Sequence, residues 1–236
     1  FAKNRPFVVK YLLKKRGGKT MLYILAAMQK EADCLLSQAE IKREFTRFGK
    51  KLWEGEAHGV PFTLLLTGVG KTNAAAGAML AIACGADRLS NIGVAGGITP
   101  RAKIGSLWQI GRAVQYDFDL SEINGTPVGT PDEYQTPYFP LRTGEKFPQA
   151  TLATADSFAS GQDDMALLES LGADVRDMEG AAIAHIAYAA GVPCTMFKSI
   201  SDNAGEESVR EYRENLKIAL GALSGALRDI LEEANG

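Results

Sequence analysis

Two short stretches carry acids where a chain of alternating strands and helices would place reactive groups. Asp177-Met178-Glu179-Gly180-Ala181-Ala182 opens a small-residue helix, and Ser199-Ile200-Ser201-Asp202-Asn203 follows the apolar run Thr195-Met196-Phe197. In an open α/β sheet, strand ends and helix starts meet at one crevice, where ligands bind. Carboxylates delivered there from neighbouring elements are the residue types of acid–base work. A structural reading also covers each acid alone: Glu179 would favour its helix N-terminus, and Asp202 would cap the next helix. Deciding between the two takes the elements that position them.

Composition narrows the field. The 236 residues fit one large α/β domain or at most two small ones, with an ordinary apolar share of 46%. No apolar run approaches the roughly 20 residues that span a bilayer, so no membrane partner is expected. A net charge of −2 argues against nucleic acid as the main partner. Seven of the 26 basic residues fall in residues 1–20, which hold no acid, leaving 19 against 28 acids and a net −9 beyond them. Residues 1–20 therefore read as a basic extension outside the fold, vector-derived or a misassigned start, ahead of a domain over 21–236. The three scattered cysteines (Cys34, Cys84, Cys194) and two distant histidines (His58, His185) show no metal-ligand spacing. Cysteine used this sparsely fits a reducing cytoplasm.

From Met21 onward, short apolar runs alternate with helical stretches. Strands are expected at Leu22–Ala27, Trp53–His58, Phe62–Leu66, Arg88–Val94, Leu107–Gln115, Thr151–Thr154, Val175–Met178 and Cys194–Ser199. A turn at Gly59-Val60-Pro61 should join the second and third. Helices are expected at Gln29–Gln38, Thr72–Cys84, Asp164–Leu171, from Glu179 to just before Gly191, and as one long amphipathic element over Val209–Glu233. Residues Ser121–Pro148, rich in Pro, Gly, Thr and acids, read as a long loop, a lid or binding segment. The alternation predicts a single α/β domain with a mostly parallel central mixed sheet flanked by helices.

Two glycine turns interrupt the pattern. Thr67-Gly68-Val69-Gly70-Lys71-Thr72 lacks the glycine that a phosphate-binding P-loop needs, since Leu65 stands there, and Asn73 breaks the dinucleotide fingerprint. A strand-to-helix turn remains, able to hold a polar ligand on backbone N–H groups or to hold none. Gly93-Val94-Ala95-Gly96-Gly97 is a second strand end, where glycine lets the backbone approach a flat ligand. Phe158, just after a strand, suits either stacking on a base or partial burial.

Taken in order, Ala27-Met28-Gln29-Lys30-Glu31, Thr67-Gly68-Val69-Gly70-Lys71, Asn91-Ile92-Gly93-Val94-Ala95-Gly96-Gly97, Gln115-Tyr116-Asp117-Phe118-Asp119, Asp177-Met178-Glu179 and Ser199-Ile200-Ser201-Asp202 form a specific set. Together they resemble the nucleoside phosphorylase/nucleosidase superfamily, and within it the 5′-methylthioadenosine/S-adenosylhomocysteine nucleosidases. The resemblance implies a three-layer nucleoside phosphorylase-like fold and a purine nucleoside as the small-molecule partner. It also implies a homodimer, with no metal or organic cofactor. It assigns Asp202 to protonation of purine N7, Glu31 to the attacking water, and Glu179 with Met178 to the ribose. Phe158 would stack on the base, the Ala159 backbone would read its edge, and Ala95 and Gly96 would lie against it.

The chain departs from the nucleosidase pattern at three places. Val94 replaces a serine, Lys198 replaces an arginine that orders Glu31 and the water, and the segment between Asp119 and Leu152 looks short. A compact ammonium does not reproduce an arginine fork. Phosphorylases of this superfamily carry arginines for phosphate, absent from the Asn91 turn and from Gln29-Lys30-Glu31 here, so water is the expected nucleophile, with Lys71 and Lys198 the remaining cations for an anion. The expected activity is N-glycosidic hydrolysis of a 5′-modified adenine nucleoside. The alternatives are a futalosine-type hydrolase, a phosphate-dependent phosphorylase, and a nucleoside-binding protein without turnover.

Overall fold

A computed structural model describes residues 21–158, 162–205 and 207–236. The basic segment 1–20 and Ala159 lie outside the described residues. The chain opens with β1 (Leu22–Ala26), α1 (Gln29–Leu36), β2 (Glu40–Arg47), β3 (Lys50–Ala57) and β4 (Val60–Leu66). Helix α2 (Lys71–Ala83), β5 (Arg88–Gly97), β6 (Leu107–Gln115), α3 (Ser121–Asn124) and β7 (Phe139–Pro140) follow. The second half holds β8 (Gln149–Thr154), α4 (Gln162–Ser170), β9 (Val175–Asp177), α5 (Gly180–Ala190), β10 (Cys194–Asp202), α6 (Ser208–Gly225) and α7 (Leu227–Asn235).

Strand β1 shows why these elements form layers. All five of its residues are buried between β4 and β5, parallel to both. Alternate side chains point to opposite faces: Leu22, Ile24 and Ala26 pack with Leu35 of α1 and Leu227, Ile230 and Leu231 of α7. Tyr23 and Leu25 pack instead with Ala74, Ala78 and Ala81 of α2 and Ile183 of α5. The alanine-rich sequence of α2 and α5 lets both helices lie close on the sheet.

The sheet is mixed. It is parallel across β4–β1–β5–β10 and across β6–β8–β9. Antiparallel pairs join β2 to β3, β3 to β4, β10 to β6 and β5 to β9. The β5–β9 pair closes a ring of β5, β10, β6, β8 and β9, filled by Ile110, Leu152, Val175, Met196 and Ile200.

Three local expectations for strands, turns and helices change. Strand β2 was not expected, because Glu40–Arg47 is charged and exposed along nearly its whole length. It is an edge strand paired on one side only, where charges discourage further pairing. The β3–β4 turn falls at His58-Gly59, and Val60 and Pro61 belong to β4. Pro61 sits where β4 pairs with β3 alone, so its missing N–H costs no second ladder bond. The C-terminal helix is two helices that meet at Ala226.

Residues 121–148 carry structure of their own rather than a free loop. Phe139 stacks on His185 of α5 at 4.4 Å, and Tyr134 packs edge-on to both. The Leu141 and Arg142 amides donate to the carbonyls of Gly111 and Cys194. Lys146 binds Asp229 and Glu232 of α7.

Candidate active site

A cavity of about 230 Å³ opens at the carboxyl ends of the strands. Its walls come from Ala27 and Met28 after β1, Val69 after β4, Val94, Ala95 and Gly96 of β5, Phe158 after β8, and Ser201 and Asp202 of β10. Glu31 of α1, Arg176 and Asp177 of β9, Met178, Glu179 and Tyr212 of α6 complete it. Parallel strands that end together create such a crevice. Eight of the residues singled out by sequence are thus gathered in one place: Glu31, Val94, Ala95, Gly96, Phe158, Met178, Glu179 and Asp202. Among the described residues lining it, none comes from 121–148.

Glu31 is 3% exposed and accepts three backbone amides. Its Oε2 accepts the Ala27 and Met28 amides at 3.1 and 2.9 Å, and its Oε1 accepts the Val94 amide at 2.8 Å. Burial raises its pKa above the usual glutamate value, while Lys198 and those three amides work the other way. Val94 therefore supplies its backbone whatever its side chain. Gly93 makes the fit possible: a Cβ there would lie 2.6 Å from Glu31 Oε1 and 3.3 Å from Lys198 Nζ.

Lys198 does not line the cavity. Its ammonium is buried and bonded to Asp177 Oδ2 at 2.8 Å. Burial alone would lower its pKa, but Asp177, then Glu179 and Glu31, more than offset this and hold the charge. Asp177 also accepts the Thr154 hydroxyl at 2.6 Å and the Glu179 and Gly180 amides that start α5. The lysine thus acts on Glu31 as a nearby charge while its hydrogen bond goes to Asp177.

Glu179 precedes α5, but its side chain does not cap that helix. Its Oε1 accepts the Gly70 amide at 2.8 Å, while Asp156 Oδ1 accepts the Lys71 amide at 2.8 Å. The N-terminus of α2, which sequence left open as an anion site, is filled by two of the chain's own carboxylates. Lys71 is likewise taken, by Asp117 and Asp156. Burial first, then the Asp177 charge, raises the Glu179 pKa to about 7.

Asp202 does not cap α6 either. A register shift in β10 between Ile200 and Asp202 sets it opposite Gly96. Such irregularities re-aim side chains beside functional sites. Asp202 Oδ2 accepts the Ser201 hydroxyl at 2.8 Å and Oδ1 the Ala204 amide at 3.0 Å. Burial, at 4% exposure, lifts its pKa above the ordinary aspartate value, against those two bonds and the Arg176 charge. Phe158, 39% exposed, meets Tyr212 edge-on at 5.3 Å, and the Tyr212 hydroxyl reaches Met28 Sδ at 3.4 Å.

Sequence reasoning missed Arg176, Tyr212 and the Lys198–Asp177 pair. An arginine beside the Asp-Met-Glu run was a visible signal for the first. Tyr212 lies on a helix ten residues past Asp202, with nothing local to mark it. Among the described residues, no cluster of three His, Cys, Asp or Glu could hold a metal ion, and no helix is long and apolar enough to cross a membrane.

Residues 22–232 match the family model of the phosphorylase superfamily. The chain belongs to this superfamily. Solved structures of the superfamily fold superpose closely on it. The futalosine hydrolase of Helicobacter pylori aligns with TM-score 0.83 at 24% identity, over 90% of this chain and 97% of that one. The 5′-methylthioadenosine/S-adenosylhomocysteine nucleosidase of the same organism, in complex with a substituted pyrrolidin-3-ol, gives 0.83 and 24% over 90% and 98%. That of Neisseria meningitidis, with methylthio-immucillin-A, gives 0.82 and 23% over 91% and 99%.

Proposed function

We propose that this protein is a purine nucleoside N-glycosidase that hydrolyses 5′-methylthioadenosine and S-adenosylhomocysteine to release adenine. The observation that carries the reading is the pair of buried carboxyls, Glu31 and Asp202, presented to one cavity by different elements and held by different partners. Glycosidic cleavage passes through an oxocarbenium-like state, in which an acid at the leaving group and a carboxylate near the water both help. Asp202 gives its proton to N7 of the base, and the electrons of the C1′–N9 bond leave with the purine. Water adds to C1′ and passes its proton to Glu31. The products are the free base and a 5′-thio-ribose with a free anomeric hydroxyl.

Each assignment follows from a local cause. Burial keeps Asp202 protonated to higher pH, as an acid requires. The same cause makes Glu31 a stronger base once ionised, and three amides favour its ionised form. Glu179 and Met178, on the wall of the same cavity, are assigned to the ribose. Phe158 and Tyr212 supply aromatic surface for the base. Water is favoured over phosphate because Lys71 and Lys198 are both bound to aspartates, the α2 N-terminus is filled, and the cation on the cavity wall, Arg176, is in register with Asp202 rather than with Glu31.

Futalosine is the second reading. Val94 removes a hydroxyl from the water and ribose region, and the futalosine hydrolase aligns as well as the nucleosidases. The test is chromatography of the base released from 5′-methylthioadenosine, S-adenosylhomocysteine, adenosine, inosine and futalosine, with and without phosphate. Adenine from the 5′-thio-nucleosides without phosphate is the expected result. Strict phosphate dependence, turnover of futalosine alone, or no base from any substrate would each overturn the proposal.

A further inference from the structure

Arg176 is a buried cation for which the site so far has no task. It is 3% exposed, on a strand of three residues inside the sheet, and it lines the cavity. Its Nη2 donates to the Ser157 carbonyl at 2.7 Å, just before Phe158. Its Nη1 is buried and has no hydrogen-bond partner among the described residues. A buried guanidinium with a free donor costs free energy unless the fold uses it.

The sheet register shows what it faces. Gly96 of β5 is paired with Arg176 of β9 on one side and with Asp202 of β10 on the other. Residues directly opposite on neighbouring strands share a face, so Arg176, Gly96 and Asp202 form one row. The middle member has no side chain, and Asp202 leans into the gap: a Cβ on Gly96 would lie only 2.7 Å from Asp202 Oδ1. Ala204 borders the same gap, its Cβ 3.0 Å from that position, Arg176 is the next member of the row, and its charge acts on Asp202.

We propose that Arg176 is a positioning residue for leaving-group protonation, supporting across Gly96 the Asp202 carboxylate that remains once the proton has gone to the base. The inference rests on the hydrolase reading, in which Asp202 is the acid. The proton moves from Asp202 to N7, and the guanidinium stays charged throughout, so its attraction appears only as Asp202 becomes an anion. Interactions stronger in the transition state than in the ground state raise kcat. Through Nη2 the same group fixes the Ser157 carbonyl and with it the approach to Phe158.

The other ionisable groups around Asp202 are Glu211 and Tyr212 of α6, with Glu31, Asp177 and Glu179 on the remaining walls. Glu211 is committed to the Asn203 amide and side chain at 2.8 and 2.9 Å. Arg176 is the one cation that faces Asp202 among the described residues lining the cavity.

The test compares wild type with R176Q, which keeps a donor for the Ser157 carbonyl and loses the charge, and R176K, which keeps the charge. Titration of the Asp202 carboxyl by carbon-13 NMR, its resonance assigned by loss in D202N, needs no turnover. In R176Q the midpoint should rise by about one pH unit, and kcat should fall about tenfold with KM changed less. The basic limb of the kcat/KM profile should follow the midpoint upward, and R176K should restore it. If R176Q does not fold, R176M replaces it. An unmoved midpoint with base still released by wild type overturns the inference and leaves the hydrolase reading standing. No base released by wild type overturns both, whatever the midpoint does.

Discussion

Two acids of the cavity, Glu31 and Asp202, are buried to nearly the same degree, yet their surroundings differ. Glu31 receives three backbone amides and has a lysine behind it, itself bound to Asp177. Asp202 receives one amide and one hydroxyl, and its cation stands across a glycine. Burial pushes both carboxyls up, so exposure cannot separate their roles. The number and kind of donors can. A carboxylate that accepts several fixed amides is favoured in its ionised form and, with acceptor capacity left on one oxygen, is suited to taking a proton, while one with fewer donors is suited to carrying a proton and giving it up. On the proposed reading, one cavity holds an acid and a base by surrounding two buried carboxyls differently.

The largest effects should follow from exchanging these roles. Asp202→Asn should reduce base release by about 10²–10⁴-fold, with no rescue at any pH, because the amide has no proton of comparable acidity. Glu31→Gln should cost a similar factor and also turn an amide NH₂ toward the Ala27, Met28 or Val94 N–H groups. The two variants should differ in stability: Asp202→Asn keeps an acceptor for Ala204, whereas Glu31→Gln leaves a donor facing a donor, worth about 1–3 kcal/mol. Base release and urea unfolding of both proteins check this. Equal stabilities would show that the donor count does not distinguish the two sites.

Two glycines sharpen the same contrast. A methyl added at Gly93 would meet Glu31 Oε1 at 2.6 Å, and one at Gly96 would meet Asp202 Oδ1 at 2.7 Å. Gly93→Ala should therefore displace the base and Gly96→Ala the acid, each without removing a functional group. A misplacement of about 1 Å can cost about 10²-fold, so each should lose activity on that scale. The pH–rate profiles should separate them: Gly93→Ala should alter the acidic limb, where Glu31 must ionise, and Gly96→Ala the basic limb, where Asp202 must stay protonated. The same limb moving in both variants would break the assignment of one acid to each glycine.

Much of this site was legible in the sequence, because its acids sit at strand ends and helix starts that apolar patterning reveals. Leu22–Ala26 and Cys194–Asp202 are dense enough in apolar residues to locate the positions beside them. What sequence could not give was pairing. Asp177 and Lys198 lie 21 residues apart on strands with β5 between them, and only the order of strands brings the ammonium to the aspartate. The same holds for Arg176 and Asp202, which meet through their common partner Gly96. Strand β2 escaped for a different reason, since an exposed edge strand has no buried face to impose alternation. The α2 N-terminus was recognisable as a place for an anion, but its occupants, Glu179 and Asp156, come from segments more than 80 residues away.

The smallest expected effect concerns a third acid, Glu179, which has neither the donors of Glu31 nor the solitary proton role of Asp202. It accepts one amide, from Gly70, and lies close enough to Asp177 for the two charges to repel. Its pKa is raised to about 7 from 4.5 in the unfolded chain. Between those values the folded state binds more protons than the unfolded state, so the Glu179 contribution makes stability fall as pH rises through this window. Glu179→Gln keeps an oxygen for the Gly70 amide and removes the charge. Relative to wild type it should be more stable by about 1–3 kcal/mol at pH 8 and nearly equal at pH 4.5. It should also bind nucleoside more weakly, since an amide is a poorer acceptor for ribose hydroxyls than a carboxylate. Chemical denaturation at the two pH values measures the first effect, and KM the second. A stability gain that does not depend on pH would mean that packing, not charge, sets the difference, and Glu179 would then belong with Glu31 as a compensated acid.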